Sequence, residues 1–205
     1  MIIAGAGGHA EEVFSVWSRI DRQEEVFFFD NVNARNTLFS KAILSTEKEV
    51  KEIFRNHPGF ILGTGSSKNR HALSNLLKQW GGSLFTLISR SAVVGDINVK
   101  LGEGLNIMEG VIIYNNVSIG EGTLINTATS VHHGVEIGEY AEISPGSRVL
   151  GNVKIGNHAF IGANATLLPG VTIGDYATVG AGAVITSDVP ENSLAVGVPG
   201  FVKKE

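Results

Sequence analysis

Residues 115–144 read NNVSIG EGTLIN TATSVH HGVEIG EYAEIS, five consecutive sixes with an aliphatic residue in the fifth place of each. The register extends without a gap from Ser91 to Thr186, and the fifth place is aliphatic in fifteen successive sixes from Leu101 to Ile185. The third place is Val, Leu, Ala, Thr or Ser throughout that run. Side chains two residues apart lie on the same side of an extended chain, so each six supplies one short strand with one inward face. The first two places are rich in Gly, Asn, Glu and Pro, residues that suit a corner. Strands this short and regular lack a hairpin partner, and the pattern predicts a prism-like parallel β-helix in which each rung stacks on the last.

The remaining composition restricts the function. The chain has 205 residues, long enough for two small domains, and a formal net charge of -4 with its lysines and arginines scattered. That distribution leaves no footprint for nucleic acid or an anionic membrane. The absence of cysteine excludes disulfides, thiolate metal sites and a cysteine nucleophile. No apolar run reaches the roughly 18 residues of a membrane span. The start, MIIAGAGGHAEE, lacks the basic region of a secretory signal, so the expected location is the cytoplasm.

Ahead of the sixes, MIIAGAGGHAEEVFSVWSRI reads as strand, glycine turn and helix, because Val13, Phe14, Val16, Trp17 and Ile20 recur at helical spacing. Gly5, Gly7 and Ala10 fit G-x-G-x-x-G/A, and EVFFFD follows as a second strand ending in Asp30. Glycines at such a turn let backbone N–H groups approach a diphosphate at a helix N-terminus, and Asp30 is placed to accept a hydrogen bond from a ribose hydroxyl. TEKEVKEIF reads as a helix, GFILGTGSS as a third strand and turn, and KNRHALSNLLKQW as another helix. The expected organisation is a Rossmann-like α/β domain over 1–88, a β-helix over 89–190 and a tail over 191–205. Some eighty residues suit a mononucleotide carrying a sugar better than a dinucleotide. The candidate substrate-binding residues are Gly5, Gly7, Gly8, His9, Asp30, Asn31 and Gly63, with His9 lining the turn rather than catalytic.

His132 and His133 interrupt the aliphatic pattern. Two places beyond Val131, His133 falls in a corner, and His132 points outward from the strand.

With both halves read, the chain resembles the sialic acid O-acetyltransferase family of hexapeptide-repeat sugar acetyltransferases, whose other members N-acetylate nucleotide-linked amino sugars of the bacillosamine and perosamine pathways. The resemblance rests on GAGGHAEEV, FFFDN, ILGTGSSKNR, INTATSVHHGVEIGEYAEISPGSRVLGNVKIG, FIGANATLLPGVTIG, VGAGAVITSDVP and GVPG, which together cover nearly the whole sequence. It implies a left-handed helix with three sixes per coil, a homotrimer, acetyl-CoA in a groove between neighbouring β-helices, and a nucleotide sugar on the N-terminal domain. It makes His133 the catalytic base, and Asn126, matching the family's INT, a residue that holds base or substrate. A neutral imidazole can take the proton of an attacking amine or hydroxyl. In such grooves the coenzyme contacts are largely main-chain, which nominates Ser144, Gly146, Gly162 and Ala181, while Lys203 and Lys204 are set to meet its phosphates.

Two positions depart from the family. Gly134 stands where an acid commonly follows the histidine, leaving Glu136, Glu142 or an acid of another subunit to orient the imidazole. Glu142 stands where bacillosamine-type members carry a second histidine near the acetyl group, and an ionised carboxylate is a poor donor to an oxyanion. The preferred reading is N-acetylation of a nucleotide-linked amino sugar. O-acetylation of sialic acid or a related sugar is the alternative within the enzyme class, and a catalytically impaired sugar-binding or assembly protein the alternative outside it. A zinc enzyme like the γ-class carbonic anhydrases needs three converging histidines, and beyond the pair only His158 lies in the sixes, so no metal is expected.

Overall fold

The computed structural model describes residues 1–21, 23–33 and 35–203. The N-terminal part alternates β1 (Ile2–Ala4), α1 (Gly8–Ile20), β2 (Phe27–Phe29), β3 (Thr37–Leu38), β4 (Lys41–Leu44), α2 (Glu47–Phe54), β5 (Gly59–Leu62), α3 (Ser67–Gln79) and β6 (Ser83–Leu84). Its sheet has the order β3-β4-β2-β1-β5-β6, parallel except at the β3–β4 edge hairpin. The β3–β4 pair is absent from the sequence reading, which passes from the second strand directly to α2. β1 lies between β2 and β5, so the strand order reverses beside it, and the carboxyl ends of β1 and β5 flank the crevice where open α/β sheets hold ligands. α2 starts at a capping box, with Thr46 and Glu49 each accepting from the other's backbone.

The sixes close into a three-sided coil. One face, hereafter the domain face, stacks Leu87–Ile88, Asn106–Ile107, Leu124–Ile125, Glu142–Ile143, Phe160–Ile161, Thr178–Val179 and Leu194–Val196 in parallel, and is closed by antiparallel Phe201–Val202. A second face runs from Val93–Val94 to Val184–Ile185 and a third from Lys100–Leu101 to Thr172–Ile173. The register is eighteen residues per coil, as in Ile107 against Ile125 and Ile125 against Ile143. The fifth-place and third-place residues fill one continuous core from Leu105 to Ala195. From Asn98 to Gly182 the second place of each six turns the corner in the left-handed region, with φ of 54° at Asn98, 58° at Asn116 and 71° at Gly134. Tyr140, His158 and Tyr176 take the same conformation at φ 52–57°, which is unusual for such side chains.

The two parts share a core. Leu87, Met108 and Leu124 pack with Ile3, Val13 and Trp17, and Tyr140 packs with Phe60 and Leu62. Asn106 Nδ2 donates to Leu62 O at 2.6 Å across the seam, and Lys78 Nζ meets Glu121 at 2.6 Å. Arg70 of α3, only 1% exposed, donates to Gly122 O at 2.9 Å, Tyr140 O at 2.9 Å, Ala141 O at 2.8 Å and to Gly65 O. Burial lowers its pKa to about 10, still well above neutrality, so the guanidinium stays charged at the seam.

Candidate active site

All seven candidate substrate residues of the N-terminal domain, Gly5, Gly7, Gly8, His9, Asp30, Asn31 and Gly63, line one cavity of about 520 Å³ at the β1/β5 crevice, joined by Thr64, Gly65 and Asn69. Gly5 and Gly63 serve close packing there. Gly5 has φ +132°, and a Cβ on it would lie 2.6 Å from Gly63 O. Gly7 caps α1 without a side-chain acceptor, leaving the first-turn N–H groups to face an anion. Asp30 accepts from Val32 N at 2.8 Å, Asn33 N at 3.1 Å and Asn33 Nδ2 at 2.9 Å. Burial works to raise its pKa, but these donors and Arg35 prevail and hold it below the ordinary value. It is a carboxylate fixed by its own loop, with acceptor capacity left over. His9 Nδ1 meets Glu12 at 3.0 Å and its Nε2 stands 3.2 Å from Asn106 Nδ2. Since Asn106 Nδ2 can only donate, Nε2 is the acceptor and the proton sits on Nδ1, facing Glu12.

A second cavity of about 880 Å³ shares Gly65 and Ala72 with the first, so the two adjoin along the seam. Its walls include Ser66, Ser67, Lys68, His71 and Asn75 from the N-terminal domain and Glu142, His158, Phe160 and Tyr176 from the coil. His158 Nδ1 lies 2.7 Å from Ser67 Oγ, and its ring stacks on Tyr140, Tyr176 and His71 with centroids 5.6, 4.8 and 5.3 Å apart. Burial, with the nearby His71 and Arg70, lowers the pKa of His158, which favours the neutral imidazole. The sequence reading did not select Ser67, His71, His158 or Tyr176 for this site. The available signal was the recurrence of an aromatic ring at 140, 158 and 176, one coil apart, in a corner place otherwise dominated by Gly and Asn.

His133 is exposed at the corner joining the second and third faces, and His132 stacks on Tyr114 with centroids 4.9 Å apart. Gly134 has φ +71°, and a Cβ there would lie 2.2 Å from Asn152 Oδ1. The left-handed corner disfavours an acid at this position, and the Asn152 side chain would have to move aside for it. Glu136 pairs with Lys154 at 3.4 Å and Glu142 faces the N-terminal domain. Within the protomer, then, Lys154 engages the one and another face carries the other. The imidazole rests over Gly151, where a Cβ would come within 2.6 Å of Cε1 and 2.8 Å of Nε2 of His133. The backbone of Gly151 does not itself require glycine, because its φ is not in the left-handed range. Gly151→Ala is therefore expected to leave Tm within about 1 °C while reducing kcat about 10-fold through a displaced imidazole, as steady-state kinetics beside a thermal melt would record.

Asn126, Ser144, Gly146, Gly162 and Ala181 fall on a different edge, the corner between the domain face and the second face. Asn126 Oδ1 accepts from Thr127 N at 2.7 Å, fixing the side chain locally. Ser144, Gly146 and Gly162 spend their N–H groups on Ile161 O, Thr127 O and Val179 O at 2.8, 2.9 and 2.8 Å. Among the described residues Ala181 N has no such backbone partner, so of the four it alone keeps a main-chain donor for a ligand. One protomer thus distributes His133, Asn126 and Glu142 over two edges and a face of the prism. Lys203 is described, with its N–H on Leu194 O at 2.7 Å, whereas Lys204 lies outside the described residues.

Sequence-family profiles match the PglD N-terminal domain at residues 1–77 and the bacterial transferase hexapeptide, six repeats, at 116–151 and 152–187. Among solved structures, perosamine N-acetyltransferase from Caulobacter crescentus, determined as a histidine-to-asparagine variant with CoA and GDP-perosamine, is 31% identical with a TM-score of 0.89, covering 100% of this chain and 96% of that one. The acetyltransferase domain of PglB from Neisseria gonorrhoeae, in complex with acetyl coenzyme A, is 25% identical at TM-score 0.91, covering 98% of each chain. WeeI from Acinetobacter baumannii is 28% identical at TM-score 0.92, covering 99% of this chain and 100% of that one. No curated protein matched the sequence. The chain belongs to the hexapeptide-repeat sugar acetyltransferases that carry a PglD-type N-terminal domain. It is an acyltransferase using acetyl-CoA, and its coil is the left-handed parallel β-helix of that family. No helix among the described residues is long and apolar enough to cross a membrane, and no group of three or more His, Asp or Glu among them could hold a metal ion.

Proposed function

We propose that the protein N-acetylates an amino sugar carried on a nucleotide, as a homotrimer in which His133 of one protomer serves the acceptor bound by its neighbour. The observation that carries this reading is the pair of adjoining cavities meeting at Gly65. The first offers a glycine turn and a helix N-terminus to a diphosphate, and Asp30 to a ribose. The second offers mixed polar and aromatic walls to a hexose. The solved complex of the similar Caulobacter enzyme with GDP-perosamine and CoA supports a nucleotide-linked amino sugar as acceptor. His133 lies on an edge away from the N-terminal domain, which favours catalysis across a subunit boundary.

In the reaction the amine nitrogen attacks the thioester carbonyl carbon. His133 takes the proton released from nitrogen, the C–S bond breaks, and the coenzyme leaves as its thiol after regaining that proton. Dependence on acetyl-CoA and the absence of cysteine favour the cytoplasm as the place of action. The test is thiol release from acetyl-CoA over a panel of UDP-, GDP- and dTDP-linked amino sugars, with free sialic acid included, and light scattering for the trimer. Turnover confined to nucleotide-linked amines is expected. Turnover only with sialic acid would make the enzyme an O-acetyltransferase, and none with any acceptor would indicate a binding protein.

A further inference from the structure

Glu142 sets the junction apart from an ordinary sugar pocket. It is the one carboxylate among the residues lining the second cavity, whose other ionisable side chains are Lys68, His71, His158 and Tyr176. Its carboxylate oxygens lie 3.9 and 4.0 Å from the position a Cβ on Gly65 would occupy, so it stands at one of the two residues both cavities share. The side chain is 15% exposed, and its ion pair with Arg70 spans 3.6 Å, longer than a hydrogen bond. Arg70 directs its donors to the carbonyls of Gly65, Gly122, Tyr140 and Ala141 instead. Burial pushes the Glu142 carboxyl above its ordinary range against the opposing pull of Arg70.

We propose that Glu142 is the specificity-determining residue that recognises the acceptor nitrogen as its ammonium, and so selects amino sugars over their hydroxyl counterparts. This rests on the nucleotide-sugar reading above. An ammonium brings three N–H donors and a full positive charge to a carboxylate whose Arg70 partner stands 3.6 Å away, beyond hydrogen-bond reach, whereas a hydroxyl brings one donor and no charge. Glu142 therefore acts by attraction, where an oxyanion donor would have acted on the acetyl group. The bound cation releases one proton to water before the nitrogen lone pair can attack, and His133 takes the second after attack.

The test is calorimetric binding, without acetyl-CoA, of UDP- and GDP-linked 4-amino sugars, each against the same nucleotide sugar with a 4-hydroxyl and against the free nucleotide. Wild-type protein should bind its amino sugar at least about 10-fold more tightly than the hydroxyl analogue. Glu142→Gln should abolish that preference and leave affinity for the free nucleotide unchanged, while Glu142→Asp should retain part of it. A Glu142→Gln protein that folds, binds nucleotide and still prefers the amine would overturn the proposal alone. Wild-type binding of the sugars with no amine preference would do the same. Wild-type protein that binds none of the nucleotides would instead remove the nucleotide-sugar reading, and the proposal with it.

Discussion

His133→Ala is expected to lower kcat by about 10²-fold or more, with the KM for acetyl-CoA little changed, in a coupled assay of thiol release. The ring is exposed on a corner and fills no core, so truncation removes a proton acceptor without leaving a cavity. His132→Ala is expected to have a smaller effect, since that ring is engaged by Tyr114. Should His132→Ala abolish turnover while His133→Ala retains it, the base is the preceding residue. With glycine rather than an acid at 134, the imidazole draws its orientation within the protomer from its seat over Gly151.

Arg70→Met carries the largest expected loss of stability, about 3 to 5 kcal/mol, the usual cost of removing one member of a buried charge pair. The methionine fills the volume but offers no donors, leaving the carbonyls of Gly65, Gly122, Tyr140 and Ala141 without their partner and Glu142 without its countercharge. At about 2 to 4 °C per kcal/mol for a chain of this size, Tm should fall by roughly 10 °C, read by thermal unfolding. Adding Glu142→Gln to Arg70→Met should recover part of the loss, because the second change removes the stranded carboxylate. Simple additivity of the two would mean that the 3.6 Å pair contributes nothing.

The coil was legible because burial imposes its period directly on the chain: every fifth place must enter the prism, and Leu101 through Ile185 do so in order. The glycine turn was legible for the same local reason, since Gly5, Gly7 and Asp30 fall at the end of a strand, at a helix start and at a second strand end. β3 and β4 escaped notice because NTLFSKAIL carries no sustained alternation across strands of two and four residues. The seam escaped for a different reason. Arg70 reads as one more cation in a polar helix, and nothing near it in sequence announces carbonyl partners 52 to 71 residues away. Asn106 likewise occupies a fourth place, where side chains point outward and usually meet water. Its burial follows only from the domain that covers it.

That covering bears on how such enzymes exchange parts. Leu87, Met108 and Leu124 pack into the core of the N-terminal half although their strands stack in the coil. A hinge between the halves would have to tear an apolar core, so their relative placement is built in rather than reached by closure. Recombination that swapped specificities at the linker alone would separate three side chains from the surface they complete. The transferable unit is the N-terminal half together with the outward residues of the first rungs beneath it.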